Sequence, residues 1–273
     1  MDYLDLSEYI DNLPFLGAKG ATGSQSSFLF LFNNNEKKVK KLDEMIANYA
    51  GFKKNLILSS QTYPRKIDVK ILNILSNIAI SMHKLFTDIR LLHFTNELVE
   101  GFSSKQVGSS AMPYKKNPIY SERICSLSRF LISLMQNTQY TASLQWLERS
   151  LDDSANRRLT MPESFLTCDA ILELATATFE KISINKKEIK NSLNTNMDKL
   201  ITENLMMLAV IKNEDRQNVH EKIRKNNLNN LDIENLSSKL NISKDELTSI
   251  SSLKTLIGRS SSQVNEFLSK IKL

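Results

Sequence analysis

The stretch that decides the fold is Lys66-Ile-Asp-Val-Lys-Ile-Leu-Asn-Ile-Leu-Ser-Asn-Ile-Ala-Ile-Ser-Met-His-Lys-Leu-Phe-Thr-Asp-Ile-Arg-Leu-Leu-His-Phe94, running on to Glu100. Ile67, Ile71, Ile74, Leu75, Ile78, Met82, Leu85, Ile89 and Leu92 recur at helical spacing and make one continuous apolar stripe. A helix of some 30 residues is about 45 Å long at 1.5 Å per residue, far beyond the average. Helices of that length are members of bundles, and Asn73, Asn77 and Ser81 along this one point to partner helices. His83 and His93 lie on it, and each reads as a packed or surface histidine rather than a catalyst.

The same period extends outward in both directions. A second long helix is expected from Pro118 to Asn137, with Ile124, Leu127, Phe130, Leu131 and Leu134 as its apolar positions. Upstream, Val39, Leu42, Met45, Ile46 and Tyr49 mark a shorter helix that stops at Gly51, a C′ glycine. Met1 to Leu16 carries a weaker helical pattern with Pro14 near its end. Alternating runs are nearly absent, so the fold class is all-α: a long-helix bundle with a smaller C-terminal helical domain. Past Lys186, short amphipathic helices alternate with Asn-, Ser- and Lys-rich connectors. The last begins near Gly258, with Val264, Phe267, Leu268 and Ile271 as its apolar face. Residues 1–180 therefore read as the bundle domain and 181–273 as the C-terminal domain. The length of 273 residues suits one large or two medium domains.

Composition narrows the function classes. Cys125 and Cys168 lie far apart within helical patterns, which fits reduced thiols in the cytoplasm better than a disulfide framework. His83, His93 and His220 lack ligand spacing, so no metal is expected. No apolar run can span a bilayer, and the acidic start lacks the basic and apolar regions of a signal peptide. A net charge of +6 and a pI near 9.1 admit nucleic-acid binding. The basic residues are scattered among acids, however, with only Lys37–Lys41 as a short cluster. An anionic small-molecule substrate explains a mild excess equally well, and no nucleic-acid partner is expected.

Four stretches carry candidate chemistry. The densest is Gly108-Ser-Ser-Ala-Met-Pro-Tyr-Lys-Lys-Asn-Pro-Ile-Tyr-Ser-Glu122, which gathers hydroxyl, ammonium and amide groups at the mouth of a helix. A helix-capping turn accounts for Gly108, Ser109 and Pro118, but not for the Met-Pro-x-Lys-x-Asn core. Gly17-Ala-Lys-Gly-Ala-Thr-Gly-Ser-Gln25 has three glycines in seven residues without P-loop spacing, and alone reads as a tight turn. Ser59-Ser-Gln-Thr-Tyr-Pro-Arg65 is a turn leading into the long helix. In Gln145-Trp-Leu-Glu-Arg-Ser-Leu-Asp-Asp-Ser-Ala-Asn-Arg-Arg158, Asp152, Asp153 and Ser154 offer N-cap side chains. Arg157 and Arg158 sit in first turns where the macrodipole disfavours cations, an arrangement that suits a bound anion. Pairing of the arginines with Asp152 and Asp153 is the alternative, and from the residues alone the two stay even.

The Gly108–Glu122 stretch resembles the signature loop of the fumarate lyase superfamily, Gly-Ser-Ser-x-Met-Pro-x-Lys-x-Asn-Pro followed by Glu, and meets every fixed position. The Trp146–Arg158 run is similar to the nucleotide-phosphate segment of the adenylosuccinate lyases within that superfamily. Argininosuccinate lyases, fumarases and aspartases share the loop but have no substrate phosphate. Family-like runs continue at Ile201-Thr-Glu-Asn-Leu205 and Arg216–Arg224, so the resemblance extends from about Gly17 to Phe267.

The resemblance implies β-elimination of fumarate from adenylosuccinate and from the related succinyl-carboxamide ribotide of purine synthesis, without metal or organic cofactor. It makes Ser109 the catalytic base. Gln61, Lys115, Asn117, Arg123, Arg149, Ser154 and Arg158 become substrate-binding residues. It places the Gly-rich turn near the active site. It also implies a homotetramer with active sites shared between subunits. The family's acidic histidine and further phosphate contacts fall upstream of the matched residues, and in an assembly with shared sites another chain could supply them. A non-catalytic subunit of the same family is the alternative. A basic nucleic-acid binder is a weaker one.

Overall fold

The computed structural model describes residues 1–101, 112, 116–225 and 233–271 and divides into two units, 1–184 and 185–273. In the first unit, α1 (Asp2–Asn12), α2 (Ser26–Leu31) and α3 (Glu36–Tyr49) precede the long α4 (Lys66–Phe94). Then follow β1 (Leu98–Val99), α5 (Ile119–Ser143), α6 (Asp152–Phe179) and β2 (Ser183–Ile184). The strands form a two-stranded antiparallel ladder in which Leu98 faces Ile184 and Val99 faces Ser183. This pairing was not foreseen in the sequence, because two-residue strands are too short to show alternation.

The α4 stripe is buried as its spacing requires. Leu75, Ile78, Ala79, Phe86 and Ile89 meet Ile124, Cys125 and Leu131 of α5 and Cys168, Ile171 and Ala175 of α6. The ring of Phe86, fully buried, lies 5.7 Å from that of Phe179. Burying side chains of this size stabilises by roughly 1.5–3 kcal/mol each. α5 exceeds its expected length, ending at Ser143 rather than Asn137, because Thr138 and Thr141 continue its buried face. The outer faces of the bundle keep large apolar side chains exposed, among them Leu91, Phe94, Tyr140, Leu159, Phe165 and Leu166.

The Gly-rich turn is fixed by close packing. Gly17 (φ +87°) lies where a Cβ would come within 2.3 Å of the Asp43 carboxylate, and at Gly23 (φ +82°) one would meet the Ser59 carbonyl at 2.2 Å. Only glycine fits such positions. Asp43 accepts the Ala18 N–H at 2.5 Å and forms a buried ion pair with Lys19 at 2.6 Å. The turn is thereby seated between α3 and the Ser59–Arg65 segment.

The second unit contains α7 (Lys186–Leu200), α8 (Thr202–Ile211), α9 (Arg216–Lys225), α10 (Ile233–Lys239), α11 (Lys244–Ile250), α12 (Leu253–Ile257) and α13 (Ser260–Lys270). Its core gathers Ile201, Leu205, Ala209, Val219, Leu236 and Leu240. The face expected to bury Val264, Phe267, Leu268 and Ile271 stays open, and α13 has no buried residue. Arg224 pairs with Glu221 of its own helix at 2.9 Å. No described helix is long and apolar enough to cross a membrane.

Candidate active site

The predicted site residues fall into two groups at opposite ends of the bundle. At the first end, the turn before α4 is bound to the segment that opens α6. Ser59 and Ser60 donate their hydroxyls to the Thr62 carbonyl at 2.8 and 3.0 Å. The Gln145 side chain donates to Thr62 Oγ1 at 2.9 Å and accepts the Arg65 N–H at 3.2 Å. Exposed Gln61 is therefore held beside the 145–158 segment. Two crossed ion pairs then join the helices: Arg65 of the α4 cap with Asp153 of α6 at 2.5 Å, and Arg157 of α6 with Asp68 of α4 at 2.5 Å. Tyr63 lies between them, donating to Asp68 at 2.8 Å and accepting from Arg157, while the Arg65 guanidinium stacks 4.7 Å from its ring centroid. Burial, then the hydrogen bond and charge of Asp68, push the Tyr63 hydroxyl above its ordinary pKa.

These contacts bear on the two readings of the arginines. Asp153 does not cap α6. The N-cap position, Leu151, offers no side chain, and the Asp152 N–H is taken by Ser150 Oγ at 3.1 Å. Nor does Asp153 pair with a neighbouring arginine, because Arg65 of the adjacent helix claims it. Arg157 is likewise consumed. Arg149 and Arg158 are exposed and make no ion pair among the described residues. Ser154 and Arg158, four residues apart, share one face of the first turns of α6. Free guanidinium groups, a hydroxyl and a helix N-terminus are together suited to a phosphate.

The buried pairing carries an energetic prediction. Arg65 and Asp153 side chains are 5% and 6% exposed, and Asp153 Oδ1 already lacks a partner. Arg65→Ala leaves a buried carboxylate without its cation and is expected to cost about 3–5 kcal/mol. Replacing the pair together, Arg65→Met with Asp153→Leu, is expected to recover most of it, read by denaturant unfolding. Equal losses in the single and double variants would show that the charge is not the cause.

At the other end, α4 stops where α5 begins. His93 donates from Nε2 to the Lys116 carbonyl at 2.9 Å and accepts the Glu100 N–H at Nδ1 at 3.2 Å. Glu100 accepts the N–H groups of Tyr120 and Ser121, each at 2.9 Å, and the Ser121 hydroxyl at 2.6 Å. A cavity of about 650 Å³ opens here, lined by Arg90, His93, Asn96, Lys116, Asn117 and Glu122 among others. Asn117 thus faces a space of substrate size beside cationic groups. Arg123 is exposed on α5 and is not among the lining residues. Ser109 and Lys115 lie outside the described residues. Arg90 and Glu100 were missed from sequence, whereas His93, read there as a packed or surface histidine, is buried. Glu100 was unreadable because its cap acts across about 20 residues, whereas Arg90 fell inside a helix whose apolar stripe drew the reading.

α4 alone separates the groups. Its N-terminal end carries the Arg65–Asp153 pair and its C-terminal end the His93–Lys116 contact, 28 residues apart, or about 42 Å along the axis. No mononucleotide spans that distance within one chain. Among the described residues, no group of three or more His, Cys, Asp and Glu is arranged to hold a metal ion.

Comparison with known proteins finds similarity to lyases. The sequence model of the lyase family matches residues 10–131. Adenylosuccinate lyase of Schistosoma mansoni is 47% identical over 214 residues, covering 78% of this chain and 45% of that protein. The Saccharomyces cerevisiae adenylosuccinate lyase is 45% identical over 214 residues, covering 78% and 44%. That of Schizosaccharomyces pombe is 37% identical over 283 residues, covering 97% and 58%. The chain thus spans about half the length of these curated relatives. Among solved structures, a fumarate lyase from Mesorhizobium sp. BNC1 superposes with a TM-score of 0.77 at 16% identity, over 99% of this chain and 60% of that one. The 3-carboxy-cis,cis-muconate lactonizing enzyme of Pseudomonas putida gives 0.76 at 19% identity, over 98% and 59%. These two likenesses establish the shared helical fold.

Proposed function

The chain is a relative of the adenylosuccinate lyases within the fumarate lyase superfamily, and from that kinship we propose that it takes part in β-elimination of fumarate from adenylosuccinate and from the succinyl-aminoimidazole carboxamide ribotide. Three tasks define the reaction: removing a proton beside a carboxylate, holding the resulting aci-carboxylate, and protonating the departing amine. Ser109 is the base, its alkoxide stabilised by neighbouring backbone N–H groups and Lys115. Lys115 and Asn117 hold the carboxylates, with Arg123 as a further substrate contact. Arg149, Ser154 and Arg158 hold the phosphate, and Gln61 contacts substrate beside them.

The carrying observation is the selective pairing at the start of α6, where Arg157 and Asp153 are consumed while exposed Arg149 and Arg158 make no ion pair among the described residues. Because the phosphate group and Asn117 lie about 40 Å apart along α4, a working site combines segments of different copies. We assign a homotetramer with shared active sites, to which the exposed apolar helix faces are suited. The histidine acid comes from another chain. The buried, unpaired thiols Cys125 and Cys168 support a cytoplasmic setting.

Arg149→Ala and Arg158→Ala test the phosphate assignment. Each is expected to weaken binding of the nucleotide more than of its phosphate-free nucleoside, by roughly ten- to a hundredfold. Equal effects on both, by calorimetry, would contradict it. A second reading is a non-catalytic subunit or pseudoenzyme of the family, which would bind the nucleotide without turning it over.

A further inference from the structure

The N-terminus of α5 is capped unlike those of α3, α7 and α11. There, the residue preceding the helix supplies the acceptor: Asn35, Asn185 and Ser243. At α5 that position is Pro118, which has no acceptor side chain, and the cap comes from Glu100. Glu100 is 2% exposed, so its carboxylate is a deeply buried acceptor satisfied by the orphan N–H groups of Tyr120 and Ser121 and by the Ser121 hydroxyl. The backbone N–H of the same residue is bound by His93, whose other ring nitrogen holds the Lys116 carbonyl. His93 is itself buried on α4.

One connected network therefore runs from α4 through His93 to Glu100, Lys116 and the first turn of α5. It grips the chain at residue 100, ahead of the signature stretch, and again at residues 116, 120 and 121, within the C-terminal part of that stretch. A serine or aspartate at position 118 would satisfy the helix equally well locally. Only a cap from a distant residue fixes the start of α5 relative to α4. Asn117 stands between the two gripped points, Lys116 and Tyr120, and lines the 650 Å³ cavity with Arg90.

We propose that Glu100, with His93, is a positioning residue for the elimination, setting where Asn117 meets the developing aci-carboxylate. The inference rests on the lyase reading. Glu100 touches no substrate; it acts through the backbone that carries Asn117. A carboxylate contact that strengthens in the transition state is sensitive to placement, and an error of about 1 Å can cost about a hundredfold in rate.

The test uses hybrid assemblies of this chain with a full-length adenylosuccinate lyase whose loop serine is replaced by alanine, so that activity depends on Ser109. Glu100→Gln puts an amide NH₂ against one of the donors that the carboxylate now accepts. It is expected to lower kcat about 10–100-fold with KM changed less than about twofold. Amide hydrogen exchange at Tyr120 and Ser121 is expected to accelerate. Ser121→Ala removes only the hydroxyl bond and is expected to lower kcat by a smaller factor, and it carries the test if Glu100→Gln fails to fold. Unchanged kcat would overturn the proposal. So would a parallel fall of kcat, nucleotide affinity and helix content, which marks a merely structural role. Silent wild-type hybrids would instead contradict the lyase reading. Exchange then decides the inference, since unchanged protection at Tyr120 and Ser121 in Glu100→Gln overturns it.

Discussion

Ser109→Ala is expected to abolish turnover in any active assembly that depends on this chain's loop, while helix content and substrate binding persist. Among the described residues, the core of the bundle is built from α4, α5 and α6. Its hydroxyl is proposed to act only as the proton leaves carbon. Losing an interaction made only in the transition state lowers kcat and kcat/KM together and spares binding. Removal of a positioned general base alone costs about 10²–10⁴-fold. Rates within a few-fold of the unmodified assembly would show that Ser109 is not the base.

What could be read in the sequence followed the range of the interactions. The α4 stripe was legible because burial against two partner helices imposes the 3.6-residue period directly on Leu75, Ile78, Phe86 and Ile89. The roles of Asp153 and Arg157 were not. Local spacing offers a cap or a neighbouring ion pair, whereas the partners are Arg65 and Asp68, 88 and 89 residues away. Glu100 escaped notice for the same reason, since nothing in Leu98-Val-Glu100 signals a helix that begins 19 residues later. The distinction between Arg157 and Arg158 came from resemblance in the sequence and from ion pairing in the structure. The separation of Asn117 from the phosphate group needed only the length of α4, once its two ends had been tied to α5 and α6.

The histidine acid bears most heavily on the shared-site proposal. His93 commits both ring nitrogens to the backbone at residues 100 and 116. His83 lies midway along α4, near Thr87 and Arg129. His220 belongs to the second unit, on α9. None is placed as a proton donor at the Asn117 cavity by a described contact. These 273 residues by themselves are therefore expected to assemble through their open helix faces and to show little or no lyase activity, since loss of the acid alone costs about 10²–10⁴-fold.

Complementation addresses the central claim, that this chain lends a catalytic loop and a phosphate site to active centres shared between copies. Neither component of the mixture is expected to be active alone: no histidine of this chain is placed as the acid by a described contact, and a full-length adenylosuccinate lyase with its loop serine changed to alanine lacks the proposed base. Mixed and reassembled, they are expected to release fumarate, followed by ultraviolet absorbance, because hybrid sites unite the partner's histidines with Ser109. Hybrids that demonstrably form and remain inactive would contradict the account.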